Sequence, residues 1–160
     1  MPKIPAEADK RISTSFQQRI VSLIQDSDCK KSEFAKLVGV SGSVINNAAT
    51  YGIIPSLRLL IKLADYAGAS IRYILGETDC KEFDKSDNPS DFHTRIEELV
   101  AEKGTTYCKL ANKMPFGKTF FYEWQNKKTL PSLIYLEALA DYFKVSLDYL
   151  LGRTDDRNLL

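Results

Sequence analysis

The 160-residue sequence is short of what marks a catalytic, metal-binding or membrane-embedded chain. Its three cysteines, Cys29, Cys80 and Cys108, are odd in number and lack any C-x-x-C spacing, so neither a disulfide framework nor a zinc site is supported. A reducing cytosol fits that usage. The single histidine, His93, has no neighbouring cysteine or carboxylate pattern, and no glycine loop of the phosphate-cradling kind is present. The expectation is therefore a protein that is not an enzyme and needs no cofactor, with His93 at the surface. No apolar stretch approaches the ~18 residues of a membrane span. The leading "MPKIPAEADKR" puts prolines and mixed charge where a signal peptide has an apolar core. The expected location is cytoplasmic, without a membrane partner.

Charge of one sign is also lacking. Lys and Arg number 22 against 21 Asp and Glu, a net +1, so no global basic field draws the chain to nucleic acid. Residues 1–80 carry 10 basic and 8 acidic side chains, and residues 81–160 carry 12 and 13. Any nucleic-acid site must be a local patch. Strict apolar–polar alternation is absent and β-branched residues do not cluster, which leaves an all-α reading.

What the sequence does contain is a repeat. Positions 55–79 read "PSLRLLIKLADYAGASIRYILGETD" and positions 131–155 read "PSLIYLEALADYFKVSLDYLLGRTD", 14 identical residues of 25 without a gap. The period of 76 residues exceeds that of a solenoid layer, so each copy reads as a small domain. Upstream the copies diverge: between 16–54 and 92–130 only 5 of 39 positions agree, at Phe16, Arg19, Ile20, Leu23 and Ala35 and their partners.

Five short helices per copy follow from the periodicity. Phe16, Ile20, Leu23 and Ile24 form one buried face behind the cap candidates Ser13, Thr14 and Ser15, and Phe92, Ile96, Leu99 and Val100 repeat it. Phe34, Ala35 and Val38 make a second helix stopped by Gly39, and Ser41 caps a third through about Ala49. A fourth opens at Ser56, buries Leu57, Leu60, Ile61 and Ala64, and stops at Gly68; a fifth runs from Ser70 to Gly76. The expected divisions are a flexible arm over 1–13, a first domain over 14–79, a polar linker over 80–90, a second domain over 91–155 and a tail over 156–160. The linker region "CKEFDKSDNPSD" could reach ~40 Å when extended. Lys3, Lys10 and Arg11 give the arm the chemistry of a minor-groove contact.

With these helices placed, "KSEFAKLVGVSGSVINNAATYGIIPSLRLLIKLADYAG" and "LANKMPFGKTFFYEWQNKKTLPSLIYLEALADYFKVSLDYLLG" both resemble the helix-turn-helix family of the Cro and phage repressors, also called the XRE family. The resemblance covers residues 16–79 and 92–155. It implies two tandem five-helix lambda-repressor-like helix-turn-helix domains, each with its third helix in the major groove of double-stranded DNA, and a transcriptional regulator, most simply a repressor.

Under that resemblance the readers of the first copy are Gly42, Ser43, Asn46 and Asn47, with Lys30 and Lys31 opening the second helix toward phosphate. Asn bonds adenine bidentately at N6 and N7, so an A·T-containing half-site is expected. In the second copy the positions are Thr106, Tyr107, Lys118, Thr119, Tyr122 and Glu123, followed by Lys127 and Lys128. Lys118 has the chemistry to read guanine and the later lysines to clamp phosphate. Pro115 stands where the first copy has the turn glycine Gly39, so that turn must be rebuilt. "FGKTFFYEW" holds more aromatic area than one small core should need: Phe121 and Trp124 are expected inside, leaving Phe120 and Tyr122 for thymine methyls or a protein partner. A second copy of the chain, as in a homodimer, is a further expected partner, and the alternative function is a protein-binding adaptor that has lost DNA binding, above all in the second copy.

Overall fold

A computed structural model describes residues 11–158. Lys3, Lys10 and the rest of the expected arm through residue 10 lie outside the described residues, as do positions 159 and 160. Among the described residues there are ten α-helices and, beyond one isolated antiparallel bridge between Ile12 and Ile53, no extended pairing, so the chain is all-α. The helices fall into two compact units that divide between Phe83 and Asp84. None of the described helices is long and apolar enough to cross a membrane.

The first unit holds α1 (Thr14–Ser27), α2 (Lys31–Val38), α3 (Gly42–Tyr51), α4 (Leu57–Ala67) and α5 (Ile71–Ile74). Helix α1 begins where the Ser13 hydroxyl accepts from the Phe16 amide, and α3 and α5 begin the same way behind Ser41 and Ser70. Ser56 occupies the same position before α4 without a side-chain capping bond. Phe16, Ile20, Phe34, Ile45, Leu60 and Leu63 are fully buried and knit the helices together. Ile61, expected in the core, is only half-buried. At 100° per residue it lies on the flank of the Leu57, Leu60, Ala64 stripe, and Leu63 fills the core on the opposite flank. Residues 11–13, expected to be part of a flexible arm, are tied down: the Ile54 amide donates to the Arg11 carbonyl and the Ser13 amide to the Gly52 carbonyl, both at 2.9 Å.

The second unit holds α6 (Phe92–Glu102), α7 (Tyr107–Ala111), α8 (Thr119–Lys127), α9 (Leu133–Phe143) and α10 (Leu147–Leu150). Asp91, Thr106, Ser132 and Ser146 cap four of them through their side chains. Ser86 and Ser90, in the segment read as linker, donate their amides to the carbonyls of Arg153 and Gly152 at 2.9 and 3.0 Å, fastening that stretch to this unit. Arg157, in the segment read as tail, makes a two-pronged pair with Glu102 at 2.9 Å.

Set side by side, the two units share left-handed turning points even where their residues differ. Left-handed backbone occurs at Asp28 and Gly104, Gly52 and Lys128, Gly68 and Lys144, and Gly76 and Gly152, each pair 76 positions apart. The exception is Gly39, whose φ of 87° ends α2, for its counterpart is Pro115. Helix α2 has eight residues and reaches α3 through residues 39–41. Helix α7 has five and reaches α8 only through 112–118. Proline cannot take a positive φ, so the chain turns instead through Lys113 and Met114, whose amides donate to Leu110 and Ala111, and buries Met114, Pro115 and Phe116.

A second shared device joins the ends of each unit. Arg19 donates to the Tyr73 and Thr78 carbonyls at 2.9 and 3.0 Å, pairs with Asp79 at 3.0 Å, and lies over the Tyr73 ring. Arg95 repeats the arrangement with Thr154, Asp155 and the Tyr149 ring. The repeated "Y-x-L-G-x-T-D" passages thus supply the partners of an arginine on the first helix of their own unit.

Candidate nucleic-acid interface

The sequence-predicted residues of the first unit gather around the α2–α3 turn, and all of them are exposed. Lys30 sits at the N-cap of α2 in extended conformation without a side-chain capping bond, so no side chain occupies the first-turn amides there. Gly42 opens α3 in open space: a Cβ placed there would meet nothing within 4 Å. The Ser41 hydroxyl caps Val44 at 3.4 Å and is 3.1 Å from the Ser43 hydroxyl. One face of α3, Ile45, Ala48 and Ala49, is buried, which turns Asn46 and Asn47 outward.

Two contacts bind this surface together. Lys31 Nζ donates to Asn46 Oδ1 at 3.5 Å and to Thr50 Oγ1 at 3.3 Å, and Thr50 Oγ1 lies 3.3 Å from Asn46 Oδ1. Lys62, on α4, donates to the Gly39 carbonyl at 3.1 Å and so fastens the turn from behind. Sequence reasoning missed Thr50 and Lys62. Thr50 was legible at i+4 from Asn46 on the outer face of a helix, whereas nothing local signals Lys62.

In the second unit the predicted residues are dispersed. Lys118, Thr119, Tyr122 and Glu123 are exposed on the first turns of α8, while Lys127 and Lys128 are exposed at its other end, about 15 Å along the axis from Lys118 at 1.5 Å per residue. Thr106 is exposed and spends its hydroxyl capping the Lys109 amide at 3.2 Å. Tyr107 is half-buried with its ring 5.0 Å from that of Phe121, and its hydroxyl accepts from Gln125 at 2.8 Å. Burial, helped by the charge of Glu97, pushes the Tyr107 phenol above its usual pKa. That residue is mostly a packing element.

The aromatic surplus resolves differently from expectation. Phe116 is buried along with Phe121 and Trp124, and Phe120 is half-buried with its ring 5.2 Å from Tyr135 and 6.0 Å from Phe116 and Trp124. The rebuilt turn carries Phe116 inward, and its ring gives Phe120 a surface to cover. Of the two rings expected to meet a partner, Tyr122 alone stands free, at 50 % exposure. His93 also departs from expectation: it is half-buried, edge-on to Phe92, and its Nδ1 is buried without a hydrogen-bond partner. Burial, reinforced by the charge of Lys128, holds its pKa below the ordinary histidine value.

Among the described residues no group of three or more His, Cys, Asp or Glu side chains is arranged to hold a metal ion. Comparison with protein-family models, curated proteins and solved structures finds no match to this chain.

Proposed function

We propose that this chain is a sequence-specific double-stranded-DNA-binding regulator of the helix-turn-helix kind, a repressor of phage or bacterial type, in which the first unit lays α3 in the major groove. The observation that carries the reading is the exposed constellation of Lys31, Asn46, Asn47 and Ser43 on two helices joined by three residues. A cation at the N-terminus of one helix beside amides on the outer face of the next supplies phosphate contact and base-edge contact from one rigid support. The second unit adds phosphate contacts through Lys127 and Lys128 and a guanine contact through Lys118, on an α8 reached by a longer connection than the one before α3. Linking two such units makes the second contact intramolecular, which offsets the small net charge. The packing of the half-buried Phe120 ring against Tyr135 weighs against an adaptor that binds protein through an aromatic surface.

A salt titration of binding to duplex DNA tests this. The reading expects log K to fall steeply and linearly with log salt, and Lys31→Ala to reduce the slope by about one unit, because each phosphate contact contributes about 0.9. Weak binding that responds neither to salt nor to Lys31→Ala overturns it.

A further inference from the structure

We infer that Asn46 reads its base as a hydrogen-bond donor, with guanine rather than adenine as its target, because Lys31 and Thr50 hold its amide oxygen on the protein side. The inference rests on the proposed DNA-binding reading and specifies the chemistry of that same surface. It starts from the two contacts that converge on Asn46 Oδ1, from Lys31 Nζ at 3.5 Å and Thr50 Oγ1 at 3.3 Å.

A lysine ammonium has three donors and no acceptor, so whichever way an amide is drawn, the atom that faces it is the oxygen. The Thr50 hydroxyl accepts from the same ammonium at 3.3 Å, which leaves its single proton for Asn46 Oδ1. Every donor and acceptor in the triangle is then assigned one way. Asn46 Nδ2 takes no part in it, and on this exposed residue it is the amide function left to meet a base.

The bidentate Asn–adenine contact needs the amide to give one hydrogen bond and take one, since adenine shows an acceptor at N7 and a donor at N6. An Asn46 whose oxygen is engaged can only give. Guanine presents two acceptors, N7 and O6, and fits a donor-only group; adenine turns its own N6 donor on it. Exclusion of water when a duplex docks strengthens the triangle rather than loosening it, because each bond in it is then less screened. Asn47 makes no comparable contact and keeps both amide functions. In the second unit the three positions hold Tyr107, Tyr122 and Asn126, so the device belongs to the first unit alone. Thr50 and Lys31 are thus positioning residues for Asn46.

The test uses the full chain and a randomised duplex pool. Selection gives a preferred duplex, and Asn46→Ala identifies the base pair whose preference depends on Asn46. At that pair the wild-type protein is expected to favour guanine over adenine by roughly tenfold, the scale of one good base contact. Thr50→Val, which keeps shape and loses the hydroxyl, is expected to shift preference toward adenine, whereas Thr50→Ser is expected to retain guanine. Adenine preference in the wild type, or a Thr50→Val protein with unchanged preference, overturns the inference while leaving DNA binding intact. Absence of any salt-sensitive duplex binding overturns the DNA-binding reading and this inference with it.

Discussion

Positions 72 and 77 of the first unit, and their counterparts 148 and 153 in the second, form one ion pair written with opposite polarity. Arg72 pairs with Glu77 at 3.5 Å, and Arg153 pairs with Asp148. Their surroundings differ. The Arg72 and Glu77 side chains are 36 % and 40 % exposed, whereas those of Arg153 and Asp148 are 9 % and 6 %. Exposed pairs contribute about 0–1 kcal/mol, while removing one partner of a buried pair costs about 3–5 kcal/mol because the other charge stays desolvated. Asp148→Asn keeps the shape and one acceptor oxygen, so about 3 kcal/mol is the expected loss. A unit of this size holds about 4–11 kcal/mol in total, at 0.05–0.15 kcal/mol per residue. The substitution therefore removes a large part of it. The chain has one tryptophan, Trp124, buried in the second unit, so its fluorescence reports that unit while far-ultraviolet circular dichroism reports the helices of both. With a urea slope of about 1 kcal/mol per molar, the fluorescence midpoint of Asp148→Asn should fall by about 3 M. Arg72→Gln should cost no more than about 1 kcal/mol by circular dichroism. A fluorescence midpoint that moves by less than about 0.5 M, or equal losses from the two substitutions, would refute the assignment of different weights to the two pairs.

The same fluorescence signal checks two further expectations. Lys128 holds a φ of 53° where the first unit has Gly52, so Lys128→Gly should raise the midpoint by an amount worth about 1 kcal/mol. Gly52→Ala, followed by circular dichroism, should do the reverse and cost more, since its Cβ would lie 2.6 Å from the Ser13 carbonyl oxygen. For His93, burial and then the charge of Lys128 lower the pKa in the folded unit, against a raising influence of Asp91. The unfolded chain therefore takes up the proton more readily. Stability of the second unit should decline as pH drops below about 6.5 and level off beneath the lowered folded value. His93→Gln should abolish that slope, and a wild-type midpoint that stays flat across the window would contradict the argument.

Helix positions were legible where one local rule decides them. Serines before apolar periodicity mark the starts of α1, α3 and α5, glycines after it mark the ends of α2 and α4, and the structure places the caps there. Residues whose role is set by a distant partner were not legible. Arg19 and Arg95 showed only as an identity between copies, because their partners lie about 55 to 60 positions away. Phe120 was misjudged for the same reason, and Phe116 was left unassigned: the packing of both rings depends on Tyr135, on another helix. At the candidate interface the exposure of Asn46 followed from the spacing of Ile45, Ala48 and Ala49. The engagement of its oxygen did not, since that needs the turn to bring Lys31 across.

The pattern of agreement between the copies carries its own argument about function. All five identities upstream of the repeat point into their own unit. Phe16, Ile20, Leu23 and Ala35 are buried, as are Phe92, Ile96, Leu99 and Ala111, while Arg19 and Arg95 hold the ends of their units together. None lies on the outward face of α3 or α8, where Ser43, Asn46, Asn47 and Thr50 in one unit stand against Thr119, Tyr122, Glu123 and Asn126 in the other. Were the outward faces only solvated, either copy could drift there, but one would not expect a threonine and a lysine from another helix to converge on a single amide oxygen in the first. A protein that keeps two similar frameworks and gives each a different exposed face is suited to an asymmetric target, and on the proposed DNA-binding reading that target is two unlike half-sites on one duplex.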